Sequence, residues 1–241
     1  TNRHYGPFRF DVLVGEGTNS NPYYISSAKQ LLEIGKEVDG TVKWKLSDSY
    51  ELLNDIDLAN LYTETSFFTP IGNTFENFSG SLNGNNYSIL NLKVKGDFES
   101  AGLFGVIGVD GKVENLNVLN GEIKTSGKYA GLIAGINYGF VGKVNVSGTV
   151  SQTANSDKNF AGGIAGANVY TSATPTIAMS SANVTISSFK TMGGIVGENQ
   201  SGIIFNSHAE CNFNVEIDGI NKEDVISGGL VGENIANNYT V

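Results

Sequence analysis

The sequence predicts an all-β fold: a parallel β-solenoid of repeats about 30 residues long, with a short N-terminal helix acting as a cap. Three observations predict it. A glycine motif recurs five times at near-constant spacing. Apolar columns at strand periodicity lie between the copies. The composition is rich in turn residues and poor in charge. Of 241 residues, 31 are glycine and only 4 are proline. That excess of glycine without proline excludes collagen-like and Pro-rich chains. Charged residues are 16% and hydrophobic residues 40%, which suits a chain that buries a core rather than a disordered one.

The glycine motif reads Ala101-Gly102-Leu103-Phe104-Gly105, then Gly131-Leu132-Ile133-Ala134-Gly135, Gly162-Gly163-Ile164-Ala165-Gly166, Gly193-Gly194-Ile195-Val196-Gly197 and Gly228-Gly229-Leu230-Val231-Gly232. The final glycines are 30, 31, 31 and 35 residues apart. The last four copies continue to Asn137, Asn168, Asn199 and Asn234. Four apolar columns fill the intervals. The first holds Ile89, Val113, Val141, Ile177 and Ile204; the second Leu92, Leu116, Val144, Ser180 and Ser207. The third holds Val94, Val118, Val146, Ala182 and Ala209; the fourth Ile123, Val150, Ile186 and Phe213. The step of two between the second and third columns is strand alternation. The step of three between the first and second predicts a bend where alternation resets. Stacked coils would rise by about 4.8 Å each. Glycine is expected where a coil turns sharply or where backbones approach too closely for a Cβ. Length differences fall at Tyr170–Pro175 and Asp218–Asp224, as expected of loops leaving a stack. The alternative is an antiparallel sandwich with a coincidental repeat.

Residues 1–80 read as an N-terminal capping region and 80–241 as the repeats. Ser27-Ala28-Lys29-Gln30 matches a capping box and predicts a helix over roughly 26–35. Tyr50–Leu58 reads as a strand. Fourteen of the 24 aromatics precede residue 100, enough to cover an open stack end. The chain stops part-way into a repeat at Asn237–Val241, which suggests a fragment of a larger parent.

The ordered set of motifs resembles the GLUG-repeat family of bacterial surface proteins, named for its Gly-Leu-any-Gly core. Gly102–Gly105 and Gly229–Gly232 match the core. Gly202-Ile203-Ile204-Phe205-Asn206-Ser207-His208-Ala209 resembles a second family stretch, with His208 in place of tyrosine. Ile25–Leu32, Tyr50–Leu58, Pro70-Ile71-Gly72 and Phe78–Gly84 resemble the segment that precedes such repeats. Val169–Thr176 departs from the pattern, lacking the turn glycine of its neighbours. The resemblance implies a β-helical or β-roll region of a cell-surface or secreted protein, of the kind found in adhesin-like proteins and large secreted peptidases, and it brings no catalytic residues.

Chemistry-bearing groups are few. The net charge is −9 with pI near 4.7, which disfavours nucleic acid and anionic membranes. No 18-residue apolar run exists, and Thr1–Tyr5 does not open a signal peptide. His4 and His208 are the only histidines and Cys211 the only cysteine. They make neither a zinc set nor an activated Cys–His pair. Cys211 is expected to face the core beside Ala209 and Phe213. Asp55 and Asp57 alternate, so on one strand they would share a side. Paired carboxylates can hold calcium or serve as acid and base on a sugar. The plainer expectation is that they accept backbone N–H bonds in turns. Glu198 and Glu233 occupy equivalent repeat positions on an expected solvated face, and the asparagines after them are expected to form a side-chain ladder. Six Asn-x-Ser/Thr matches (Asn77, Asn86, Asn145, Asn183, Asn199 and Asn238) are about what chance supplies in so Asn-rich a chain.

The expected function is a non-enzymatic extracellular module, a stiff spacer or adhesive platform. It would have no cofactor and no metal, and a host glycan or surface protein as partner. The rival is a β-helical carbohydrate-active or peptidase-associated domain.

Overall fold

The computed structural model describes residues 14–38, 41–63, 65–154, 156, 158–215 and 225–236. His4, Asn238, Asp218–Asp224 and Asn237–Val241 lie outside them. Almost every described element is a strand, and the strands stack as a parallel β-solenoid of about six turns. One coil shows the design. Ser100–Ala101 leads through a tight turn into Phe104–Ile107, which leads into the long, bent strand Lys112–Thr125. The next coil repeats this as Tyr129–Ala130, Ala134–Asn137 and Phe140–Gln152. Each segment pairs in parallel with its counterpart. The result is one twelve-stranded sheet and two five-stranded sheets around a common core. Among the described residues antiparallel pairing is confined to Glu37–Val38 with Thr41–Val42 and two isolated bridges near the N-terminus. An antiparallel sandwich is therefore excluded.

The apolar columns stack in register. Val113, Val141, Ile177 and Ile204 are successive partners, as are Val118, Val146, Ala182 and Ala209. Ile123, Val150, Ile186 and Phe213 complete the set. The first row needs correction. Leu82, not Ile89, lies beside Val113; Ile89 pairs with Val118, and Val94 with Ile123. The Ile89–Leu92–Val94 spacing mimics that of Val113–Leu116–Val118, which hides the shift. The true coil carries two more residues between Leu82 and Ile89 than the next carries between Val113 and Val118. Asn85 and Asn86, both at positive φ, take up the excess in a turn.

The expected bend is present and has a local cause. Asn115, Lys143, Met179 and Asn206, one per coil, have φ between 49° and 52°. A single left-handed residue turns the strand and lets two inward residues follow three apart. Asparagine suits that conformation; lysine and methionine tolerate it at a cost. A second corner uses Asn91, Asn120 and Gly148 at positive φ. In the later coils Ser180 and Ser207 replace the apolar residue at the first bend. Ser180 Oγ accepts from the Val144 N–H, and Ser207 Oγ from the Ser180 N–H. The hydroxyl thus stands in for a ladder carbonyl.

The ladder also runs back through the lead-in, where Tyr23, Tyr50 and Leu82 are successive partners. The helix spans Ala28–Leu32, with Ser27 and Gln30 closing the capping box on each other's backbone N–H. Its Leu31 is fully buried in the same core as Ile25 and Leu52. Tyr50–Leu58 is not one strand. Ser49–Leu52 and Ile56–Asp57 are separated by a turn, in which Asn54 is exposed although unbroken alternation between the buried Leu52 and Ile56 would turn it inward. The rings of Tyr23, Tyr50, Phe78 and Phe104 follow one another at centroid distances of 5.9, 6.4 and 4.6 Å. Burial, reinforced by Asp48 and Tyr23, holds the Tyr50 phenol protonated far above its usual range. Its O–H donates to the Lys45 carbonyl at 2.7 Å.

Candidate functional site

The described residues offer a polar groove on the outer face of the long sheet. Strand alternation points Tyr50, Leu82 and Val113 inward and leaves Ser49, Glu51, Ser81, Asn83, Lys112 and Glu114 outward in paired rows. With Asn19, Pro22 and Tyr50 they line a recess of about 270 Å³. A second recess, of about 310 Å³, shares Asn19, Ser49, Ser81 and Lys112 and adds Ser47, Ser79, Gly80 and Asp110. Ser49 Oγ donates to Asn19 Oδ1 at 2.6 Å. Lys112 pairs with Glu114 at 2.6 Å and lies 5.8 Å from the Phe140 ring centroid. The floor is thus serine and asparagine, with Glu51, Asp110 and Glu114 for acids and Lys112 for a cation. Such a surface can offer many weak hydrogen bonds to a ligand laid along it.

Asp55 and Asp57 line neither recess and are committed elsewhere. Asp55 Oδ1 accepts the Ser88 N–H at 2.7 Å. Asp57 Oδ1 accepts the Ala59 N–H at 2.9 Å and Asn91 Nδ2 at 2.8 Å. Asn91 Oδ1 in turn accepts from Asn120 Nδ2. Asp57 thus begins a side-chain ladder along the second corner, and the Asn91 hydrogen bond, with that from Ala59, keeps its carboxyl below the usual range. Both carboxylates act as turn acceptors across coils. Among the described residues no three His, Cys, Asp or Glu side chains gather as a metal set.

His208 and Cys211 lie on one strand but on opposite faces: His208 is exposed, and Cys211 is on the inward side beside Ala209 and Phe213. Burial pushes the Cys211 thiol up, the wrong direction for a nucleophile. Glu198 and Glu233 are register partners. Both are half-buried rather than fully solvated. Burial, then the neighbouring Glu233, raises the Glu198 carboxyl, while Lys128 and Lys158 oppose the shift. The asparagine ladder is present. Asn137 donates to Asn168, Asn168 to Asn199 and Asn199 to Asn234, each at 2.8 Å. Asn199 is buried within that ladder, so its Asn-x-Ser match marks packing and not an accessible glycan acceptor.

No family model matches the chain. Over 138 residues it is 38% identical to a protein of Evansella cellulosilytica assigned as a Gly-rich membrane protein; the match covers 55% of this chain and 15% of that protein. Over 148 residues it is 33% identical to Halomucin of Haloquadratum walsbyi, covering 58% of this chain and 2% of that protein. The chain therefore spans a small part of the length of the curated relatives it matches. A crystal structure assigned as an immunoglobulin A1 protease from Bacteroides ovatus superposes with a TM-score of 0.60 at 20% identity, covering 92% of this chain and 76% of that one. At that identity the likeness is one of fold. No helix among the described residues is long and apolar enough to cross a membrane.

The sequence reading missed the groove. A signal was available in Ser49-Tyr50-Glu51-Leu52 and Ser81-Leu82-Asn83, where polar residues alternate with core residues at the same phase. Which rows would lie side by side depended on the register, and spacing alone misplaced the first coil.

Proposed function

We propose that this chain is a non-enzymatic extracellular module of a surface protein, a stiff spacer whose polar outer face serves as an adhesive platform. The observation that carries this reading is the uninterrupted parallel ladder from Tyr23 to Ile204, with its apolar columns inward and a polar groove outward. Nearest-neighbour stacking of this kind makes a rod and leaves the outward rows free to vary. Similarity to a protein assigned as a Gly-rich membrane protein and to Halomucin supports a surface location. The commitment of Asp55 and Asp57 to structural hydrogen bonds supports a role without turnover.

Antibodies raised against the chain should label intact cells that express the parent protein; labelling only after lysis would contradict the location. Glycan or host-protein binding without turnover is expected. Turnover of a glycan or peptide by the chain, lost on Asp55→Asn, would instead establish the rival, a carbohydrate-active or peptidase-associated domain.

A further inference from the structure

A separate group of charges lies on the outer face that follows the second corner. Strand alternation turns Lys93 and Lys95 outward on Lys93–Gly96, and Glu122 and Lys124 outward on Lys112–Thr125. Lys93 is the register partner of Glu122, and Lys95 of Lys124. Three cations and one anion thus share four adjoining positions of the sheet. Glu122 bridges two of the cations, with its carboxylate 3.0 Å from Lys95 Nζ and 3.5 Å from Lys93 Nζ. Lys124 is exposed and has no ion-pair partner among the described residues. Like charges directly opposite on neighbouring strands are destabilising, and Glu122 offsets only one of the three lysines. Asp97, two residues past Lys95, accepts from Ser126 Oγ at 2.6 Å and makes no ion pair among the described residues. Beyond the lysines the same two rows continue outward as Thr149 and Ser151, then Thr185 and Ser187, then Asn212 and Asn214.

From this arrangement we infer that the face binds an acidic polysaccharide whose carboxylates are spaced among neutral sugar units, one carboxylate being held between Lys95 and Lys124. Charge complementarity selects the anion. The chain itself shows how a carboxylate sits here, because Glu122 spans Lys93 and Lys95. An incoming carboxylate would span Lys95 and Lys124 in the same way, and an ammonium with three donors can serve both. The net charge of −9 repels a dense polyanion such as a nucleic acid, which favours a ligand with sparse charges. The uncharged rows suit the neutral units, offering hydroxyls and amides on rungs about 4.8 Å apart over a track of roughly 19 Å from Lys95 to Asn214. An acidic peptide fits less well, since an extended peptide joins a sheet by adding to an open edge. Phe140–Gln152 and Ser181–Ser188 are paired on both sides. The flank of Lys93–Gly96 is covered too, with the Lys93 N–H on Tyr62 Oη and the Phe68 N–H on the Lys93 carbonyl.

This inference rests on the reading of the chain as a ligand-presenting module, but the two fail separately: antibody labelling tests the location, and a titration tests only this face. The ¹⁵N-labelled 241-residue chain would be titrated with oligosaccharides of hyaluronan and of unsulfated chondroitin, in which glucuronate alternates with a neutral amino sugar. Chitin oligosaccharides of equal length serve as the neutral control, and poly-glutamate as the peptide control. Saturable shifts centred on the amides of 93–95, 122–124 and 149–151 are expected from at least one of the two acidic glycans, weakening as salt rises through about 0.15 M. Lys124→Gln should weaken that binding about three- to fivefold. Its melting temperature should be unchanged or slightly raised, because a like-charged neighbour of Lys95 is removed. The absence of saturable shifts at these amides with both acidic glycans would overturn the inference. Equal binding by chitin oligosaccharides would do so by making the carboxylate irrelevant, and equal or tighter binding by poly-glutamate by pointing to an acidic peptide instead. Undiminished binding in Lys124→Gln would contradict it as well.

Discussion

Asn168 is where a single side chain does most to tie coils together. It is fully buried, donates to Asn199 and accepts from Asn137. Asn168→Ala would strand a donor on Asn137 and an acceptor on Asn199, both buried. At about 1–3 kcal/mol per unpaired group the expected loss is about 2–4 kcal/mol, read by urea denaturation. Asn234, at the exposed end of the ladder, should cost under about 1 kcal/mol on the same change. Glu198 provides a residue-scale test of electrostatics. Burial and Glu233 raise its carboxyl above the usual value. The folded state therefore binds this proton more tightly than the unfolded chain. Its cost to stability is fully present above the raised pKa. That cost declines as pH falls through the raised value, and it is gone below the ordinary carboxylate range near ~4.3. Glu198→Gln should flatten this part of the stability profile and stabilise at pH 7, by no more than about 0.5 kcal/mol because water screens a half-exposed group. Thermal melts of both proteins between pH 4 and 8 check the sign.

The glycine motif shows how one turn is specified at the scale of the element. In Gly193-Gly194-Ile195-Val196-Gly197 each glycine has its own reason. A Cβ on Gly193 would lie 1.9 Å from the Val196 carbonyl oxygen of its own turn. A Cβ on Gly194 would lie 2.2 Å from the Gly229 carbonyl oxygen of the next coil, and one on Gly197 would lie 2.7 Å from the Ala161 nitrogen. Backbone cannot yield as a side-chain tip does, so Gly194→Ala is expected to cost about 1–3 kcal/mol or more. Gly229 holds the same motif position but a Cβ there meets nothing within 4 Å. Gly229→Ala should change stability by no more than about 0.5 kcal/mol. Similar losses in the two variants would mean that the motif glycines act through turn conformation alone. The elements most legible in the sequence were those with a local signature. Ser27 and Gln30 announced the helix start, and the step of three announced each bend. Tyr50–Leu58 was misread because its turn at 53–55 carries no glycine or proline, only Leu53-Asn54-Asp55.

Across the whole molecule the solenoid was legible because stacking repeats the same constraint in every coil, so periodicity survives substitutions such as Ser180 for Leu116. The groove was not, because it draws on segments far apart in sequence. Ser49, Ser81 and Lys112 become neighbours only through register. The central claim is that successive repeats are successive rungs in parallel register. Lys95, Lys124, Ser151, Ser187 and Asn214 are outward register partners in five consecutive coils. In a Cys211→Ser background, spin labels would be placed at Lys95 and at one of the other four positions, and the distances read by electron paramagnetic resonance. Backbone separations should grow by about 4.8 Å per coil, reaching roughly 19 Å for Lys95 and Asn214. Distances that fail to increase in that order, or a Lys95–Asn214 separation far from that value, would contradict the stack.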